Sequence, residues 1–164
     1  LRSDGDSAAG IFGGMISAVV AQCATLVGRQ TQMRQPESWQ EWLRIEAGHA
    51  CDYFNDNRAA CETILGPVLH RENRLTTIRD NDELGAEILR GLQQHFHLPH
   101  HALLAGALPY YGEILDAFWS GSYLAHGTIG DESFEESMRA GLSYLRNFLP
   151  DVMAARDEPQ RAKP

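Results

Sequence analysis

At 164 residues the chain has the length of one domain with a single core, and 43% hydrophobic with 22% charged residues excludes a disordered or fibrous protein. Fourteen Lys and Arg against 22 Asp and Glu leave a formal charge of −8, which argues against a module that binds nucleic acid by neutralising phosphates. Cys23, Cys51 and Cys61 form no zinc-like spacing and read as reduced, core-sized thiols of a cytoplasmic protein, while Leu1 in place of Met points to a processed or partial product.

Ile11 to Gly28 carries no charge and approaches the minimum length of a membrane span, but Gly13, Gly14, Ser17, Gln22 and Thr25 dilute it. Arg2 is offset by Asp4 and Asp6, so no basic flank marks a signal peptide. The expected form is a soluble helix from about Ser7 to Gln32, buried nearly all round, with Phe12, Ile16, Val19, Cys23 and Leu26 on one stripe and Met15, Val20 and Val27 beside it. Pro36 ends that segment. Ser38-Trp39-Gln40-Glu41 is a capping-box sequence that opens a second helix running to about Tyr53. Asn55-Asp56-Asn57 breaks the chain, a short helix covers about Arg58 to Leu65, and Gly66-Pro67 closes it.

Val68 to Asn81 is polar and fits a helix end, a loop or both, and the sequence does not place its boundaries. From Asp82 the spacing of Leu84, Ile88, Leu92 and Phe96 predicts an amphipathic helix, closed by His95, His97 and Pro99. Pro99 suits the first position of a long helix reaching about His126, kinked at Pro109. After the Gly127 to Gly130 turn, Ser133-Phe134-Glu135-Glu136 is a second capping-box sequence, and a last helix runs to Leu149 before Pro150. No stretch alternates with period two. The expected fold is therefore an all-α, single-domain bundle of five to six helices over residues 1–153, with a disordered tail over 154–164.

Glu46 and His49 form a Glu-x-x-His pair on one helix face, the spacing that di-metal carboxylate bundles use twice; here it occurs once. Either Glu46 lies at the margin of the buried face, or one or both side chains hydrogen-bond a ligand in an internal pocket. His95, His97, His100 and His101 are the densest group of metal-ligand types, but no Cys or carboxylate lies among them and histidines suit a helix C-terminus, so the expectation is no metal and no cofactor. A helical metalloprotein using Glu46, His49 and the His95 to His101 cluster is the alternative, and a membrane-associated protein using Ile11 to Gly28 is the other. No nucleophile motif is present, so an enzyme is not expected.

Tyr110, Tyr111, Ile114, Leu115, Phe118 and Trp119 crowd six large side chains into ten residues, more than one neighbour can cover. The expected pocket uses Trp42, Glu46, His49 and Tyr53 from the second helix, Tyr111, Ile114 and Phe118 from the long helix, and Phe12, Met15 and Ile16 from the first. On the last helix Phe134, Met138, Leu142, Leu145 and Leu149 make one apolar stripe, with Gly141, Tyr144 and Phe148 beside it. So broad a surface fits a homodimer in which the last two helices and their symmetry mates form a four-helix interface.

The order of helices, with SWQEWLRIEAGHACDYFNDNRAACETIL, a long helix ending FWSGSYLAHG, and DESFEESMRAGLSYLRNFL, resembles the effector-binding and dimerisation domain of the tetracycline repressor (TetR) family of transcription regulators. The resemblance spans about Ile11 to Leu149. The family's amino-terminal helix-turn-helix has no counterpart in this sequence, and only such a part would contact DNA. The resemblance implies a small-molecule effector, held among the first five helices, whose binding shifts the first helix. That shift would disturb the roughly 34 Å separation at which a dimer reads successive major grooves.

Overall fold

The computed structural model describes residues 36–66 and 71–156. Among these the chain forms five helices: α1 (Trp39–Asp56), α2 (Arg58–Leu65), α3 (Arg71–His95), α4 (Leu104–His126) and α5 (Asp131–Leu145). The described residues are thus all-α, as the 3.6-residue periodicity predicts. Expectations for the first helix, with Phe12, Met15, Ile16 and Cys23, lie outside the described residues, as does the tail from 157 onward.

α1 starts where its cap sequence says. The Ser38 hydroxyl accepts the Glu41 backbone N–H at 3.1 Å, and the Glu41 carboxylate reaches back one residue further than a standard box, to the Glu37 N–H at 2.7 Å. Trp39, Leu43, Ala47, Cys51 and Phe54 then recur on one buried face. The Asn55 to Asn57 break falls later than expected. α1 continues to Asp56, because the Asn55 side chain is occupied in fastening a distant loop: its Nδ2 donates to Ile129 O at 3.0 Å, and its Oδ1 accepts the Ile129 N–H at 2.9 Å and the Thr128 hydroxyl at 2.7 Å.

Five other boundaries differ from the sequence expectation. The polar stretch before Asn81 is helical from Arg71, so α3 is one long element; Arg, Glu and Leu there are strong helix formers even without an apolar stripe. Pro99 does not open α4, which begins at Leu104. The chain around it is held extended because His97 donates its N–H to Ala154 O at 2.9 Å and Arg156 donates to His95 O at 2.8 Å. That pairing, a single antiparallel bridge of Phe96 with Ala155, also orders residues 154–156, where the sequence suggested the tail begins. The last helix stops at Leu145, four residues early, because Asn147 Nδ2 takes the Tyr144 carbonyl at 2.8 Å and a turn follows. Finally, α5 begins at Asp131 with Gly130 as cap, so Ser133 lies inside the helix and donates its hydroxyl to Phe118 O at 2.8 Å.

α4 is the central element, packed along α3 on one side and α5 on the other, with α1 and α2 closing the remaining flank. Leu104, Leu108, Tyr111, Leu115 and Trp119 of α4 meet Leu92, Phe96, Met138 and Leu145 in one core cluster. This placement corrects the expected dimer residues. Met138, Gly141, Leu145 and Leu149 are buried within the chain's own core, with Leu145 fully covered, and present almost no surface to a second copy. At Gly141 a β-carbon would stand 2.7 Å from the Tyr111 ring, so the α4–α5 approach requires glycine there. Phe134 is half-buried, stacked on Trp119 with centroids 6.5 Å apart and lying under the Arg44 guanidinium, while Leu142 and Phe148 also flank the core.

Candidate functional site

The apolar stripe of α1 is shadowed by a second, mixed stripe at Trp42, Glu46, His49 and Tyr53, spaced so that the four side chains share a face. Trp42 is buried, its ring laid on α3: a β-carbon at Gly91 would stand 2.3 Å from it, and the His95 ring lies 6.0 Å away. Its indole Nε1–H is fully covered and finds no hydrogen-bond partner. One turn of helix past Glu46, the Nδ1 of half-buried His49 is likewise covered and unpartnered. Gln40 adds a third such atom, its Oε1, although its Nε2 donates to Asp151 O at 2.9 Å. Covered polar atoms without partners cost about 1–3 kcal/mol each, so three on one helix are unusual.

Glu46 joins this face to α4. Tyr111 is almost fully covered, and its phenol is held well above the usual tyrosine range by burial first and by the nearby Glu46 charge second. Its hydroxyl has the Met138 sulfur as neighbour at 3.8 Å. Trp42, Glu46 and His49 thus share a face of α1, and the Glu46 charge reaches the buried Tyr111 phenol of α4. Tyr53, half-buried, lies edge-on to Phe54 at 5.9 Å.

Ile114 and Phe118 do not join them. Ile114 lies on the outer side of α4, where with Tyr110, Glu113, Ala117 and Tyr144 it lines an open depression of about 430 Å³. Phe118 is 38% exposed. Their i+3 and i+7 spacing from Tyr111 is compatible with one face, but α5 crosses close to Tyr111 and leaves the other two at the rim. The six large side chains thus divide, with Tyr111, Leu115 and Trp119 inward and Tyr110 and Phe118 outward.

The histidine cluster is dispersed. His95 packs between Trp42 and Phe96, where burial lowers its pKa below the usual 6.5; His97 and His100 are exposed; and His101 lies edge-on to Phe148 at 5.5 Å. Among the described residues no three His, Cys, Asp or Glu side chains converge as metal ligands. Cys51 is a covered thiol pushed up to about 11, chiefly by burial and then by the charges of Asp52 and Asp131, and Cys61 is raised by burial; neither is a poised nucleophile.

Sequence reasoning missed the polar seam that fixes α4 to α5. Trp119 Nε1 donates to Ser137 Oγ at 3.0 Å and that hydroxyl donates to Phe134 O at 2.7 Å, while Ser122 Oγ donates to Thr128 O at 2.9 Å and accepts from Gly130 N at 3.0 Å. A serine on an otherwise apolar face was the only signal available for these. No helix among the described residues is long and apolar enough to cross a membrane. Comparison with protein-family models, curated proteins and solved structures gives no match.

Proposed function

We propose that this chain is the ligand-sensing and dimerisation domain of a TetR-like transcription regulator, taking a small apolar or aromatic effector and contacting DNA only through a helix-turn-helix outside this sequence. The observation that carries the sensing part is the pair of covered, unpartnered atoms, Trp42 Nε1 and His49 Nδ1, on the α1 face that Glu46 links to Tyr111. A fold retains unsatisfied buried polar atoms where something else completes them. An effector with an aromatic body and a hydrogen-bond acceptor suits the indole N–H, and His49 can donate or accept according to its tautomer. No catalytic step is assigned to these groups.

The dimerisation part is supported by the largely apolar solvent side of α4: Tyr110 and Leu124, and Leu103 just before the helix, are each more than half exposed, and Ala117 is exposed beside them. A helix apolar on both sides calls for a partner on each. Occupancy of the α1 face would shift the balance between arrangements of the two copies and so oppose DNA binding reciprocally.

The test of the sensing reading is thermal. A panel of aromatic carboxylates, phenols and lipophilic amides is screened for a rise in melting temperature; a compound at about 100 times its Kd stabilises by roughly 2.7 kcal/mol. The rise is expected in the parent chain and in Tyr110→Ala, and is expected to be lost in Trp42→Phe and His49→Phe. A panel without a stabilising compound, or a rise unchanged in both α1 variants, overturns the sensing reading.

A further inference from the structure

After Leu149 the chain leaves the end of α5 and runs back across two other helices. Pro150 O accepts the Trp39 indole N–H at 2.8 Å and Asp151 O accepts from Gln40 Nε2 at 2.9 Å, which fixes the near end of the segment to the opening turn of α1. Its far end is fixed to the close of α3. Ala154 O accepts the His97 N–H at 2.9 Å, the Arg156 N–H donates to His95 O at 2.8 Å, and Arg156 Nε donates to Phe96 O at 3.2 Å. Both attachments lie within one helical turn of the place where the Trp42 ring of α1 rests on α3. Trp39 and Gln40 come just before Trp42 in the chain, and His95, whose carbonyl takes the Arg156 N–H, is the residue whose ring lies 6.0 Å from the Trp42 ring.

This segment is held differently from the helices. Pro150, Asp151, Val152, Ala154, Ala155 and Arg156 are exposed, and Met153 alone among its side chains packs against the core. The Arg146–Asp151 ion pair lies at the surface and adds little. Apart from Arg156 Nε, the segment uses main-chain atoms for the bonds that anchor it. Water can replace such bonds, and little apolar area is uncovered when they break, so the segment can detach at far lower cost than the helices can unfold. The junction beneath also favours opening, because the Trp42 indole N–H is covered without a partner and gains one as soon as water or another acceptor reaches it.

We propose that residues 150–156 are a releasable clasp across the junction of α1 and α3, whose detachment with the helices still folded admits solvent to the Trp42 indole N–H. Closed, it ties the opening turn of α1 to the end of α3 on either side of the Trp42–His95 contact. The clasp stands on its own contacts; its use as an entry gate for an effector rests on the sensing reading above.

Native-state hydrogen exchange on the full chain, with no compound added, tests the clasp. The His97 amide is expected to exchange through a local opening that low urea does not change, while amides of α4 follow the urea dependence of global unfolding. Arg156→Pro removes both donors of residue 156 at an exposed position outside any helix. It is expected to speed exchange about tenfold at the His97 amide and at the Trp42 indole N–H, and to leave the α4 amides and the Trp119 indole N–H, which is bonded to Ser137, unchanged. Val152→Ser, at a side chain 86% exposed, is expected to change none of them. Faster exchange at His97 with none at Trp42 means that the segment detaches without opening the junction, and overturns the proposal. So does equal acceleration at Trp119, which reports a loosened domain, and so does a His97 amide with the urea dependence of α4. The sensing reading is judged separately by its thermal rise and the loss of that rise in Trp42→Phe, so either reading can fail without the other.

Discussion

Two tryptophan-bearing contacts of this bundle treat buried polar groups in opposite ways. Between α4 and α5, Trp119, Ser137 and Ser122 are paired, and Asn55 of α1 closes three bonds onto the adjoining loop. Between α1 and α3, Trp42 Nε1 is covered with no partner, and Gln40 Oε1 and His49 Nδ1 repeat the pattern on the same helix. Both contacts bury tryptophan among apolar side chains. Burial alone therefore does not distinguish a filled core from a site with hydrogen-bonding capacity to offer; the pairing of polar atoms does.

The largest expected effect lies on the satisfied side. Leu145→Arg places an unpaired charge at a fully covered core position and should cost about 3–5 kcal/mol or more, so the variant should unfold cooperatively at much lower urea, or fail to fold, and not simply dissociate a dimer. A variant with wild-type stability would mean that α5 is not held inward as described. Next is Asn55→Ala, which removes three bonds between α1 and the α4–α5 loop and should cost about 1–3 kcal/mol in the same assay.

The sharpest comparison uses one chemical change at two sites. Trp119→Phe deletes a donor that is in use and should destabilise by about 1–2 kcal/mol beyond the loss of ring area; Trp42→Phe deletes a donor without a partner and should cost distinctly less. Equal losses at the two positions would erase the distinction between the contacts. The smallest effect is a pH dependence. Burial favours neutral His95 in the folded state, so the unfolded chain binds more protons; this stability is complete above about 6.5 and declines as pH falls toward the lower folded-state pKa. His95→Gln should flatten that part of a stability profile measured by urea denaturation.

How much was legible beforehand follows from the range of each interaction. The α1 cap at Ser38 and Glu41, the amphipathic run Leu84, Ile88, Leu92 and Phe96, and the α4 stop at Gly127 involve residues a few positions apart, so local pattern suffices to find them. Glu46 and Tyr111 were both assigned to the expected pocket, and the Glu46 charge is felt at the Tyr111 phenol. Ile114 and Phe118 were assigned to the pocket from their spacing to Tyr111. Helical spacing fixes an angle around one axis but not where a neighbouring helix crosses, and α5 crosses so as to leave both at the outer rim.

The sequence by itself determined the helical class, the starts of α1 and α2, the division of α4 into more large side chains than one neighbour could cover, and the acidic balance, because all of these depend on composition and on contacts within a turn or two. Only the tertiary structure decided that Met138, Gly141, Leu145 and Leu149 belong to the chain's own core, that Asn55 serves a loop more than 70 residues away, and that residues 154–156 fasten to the end of α3. The physical reason is that an apolar stripe has no address. Burial rewards any surface that removes it from water, and which surface wins depends on steric fit, such as the missing side chain at Gly141 under the Tyr111 ring, and on hydrogen bonds between residues distant in the chain.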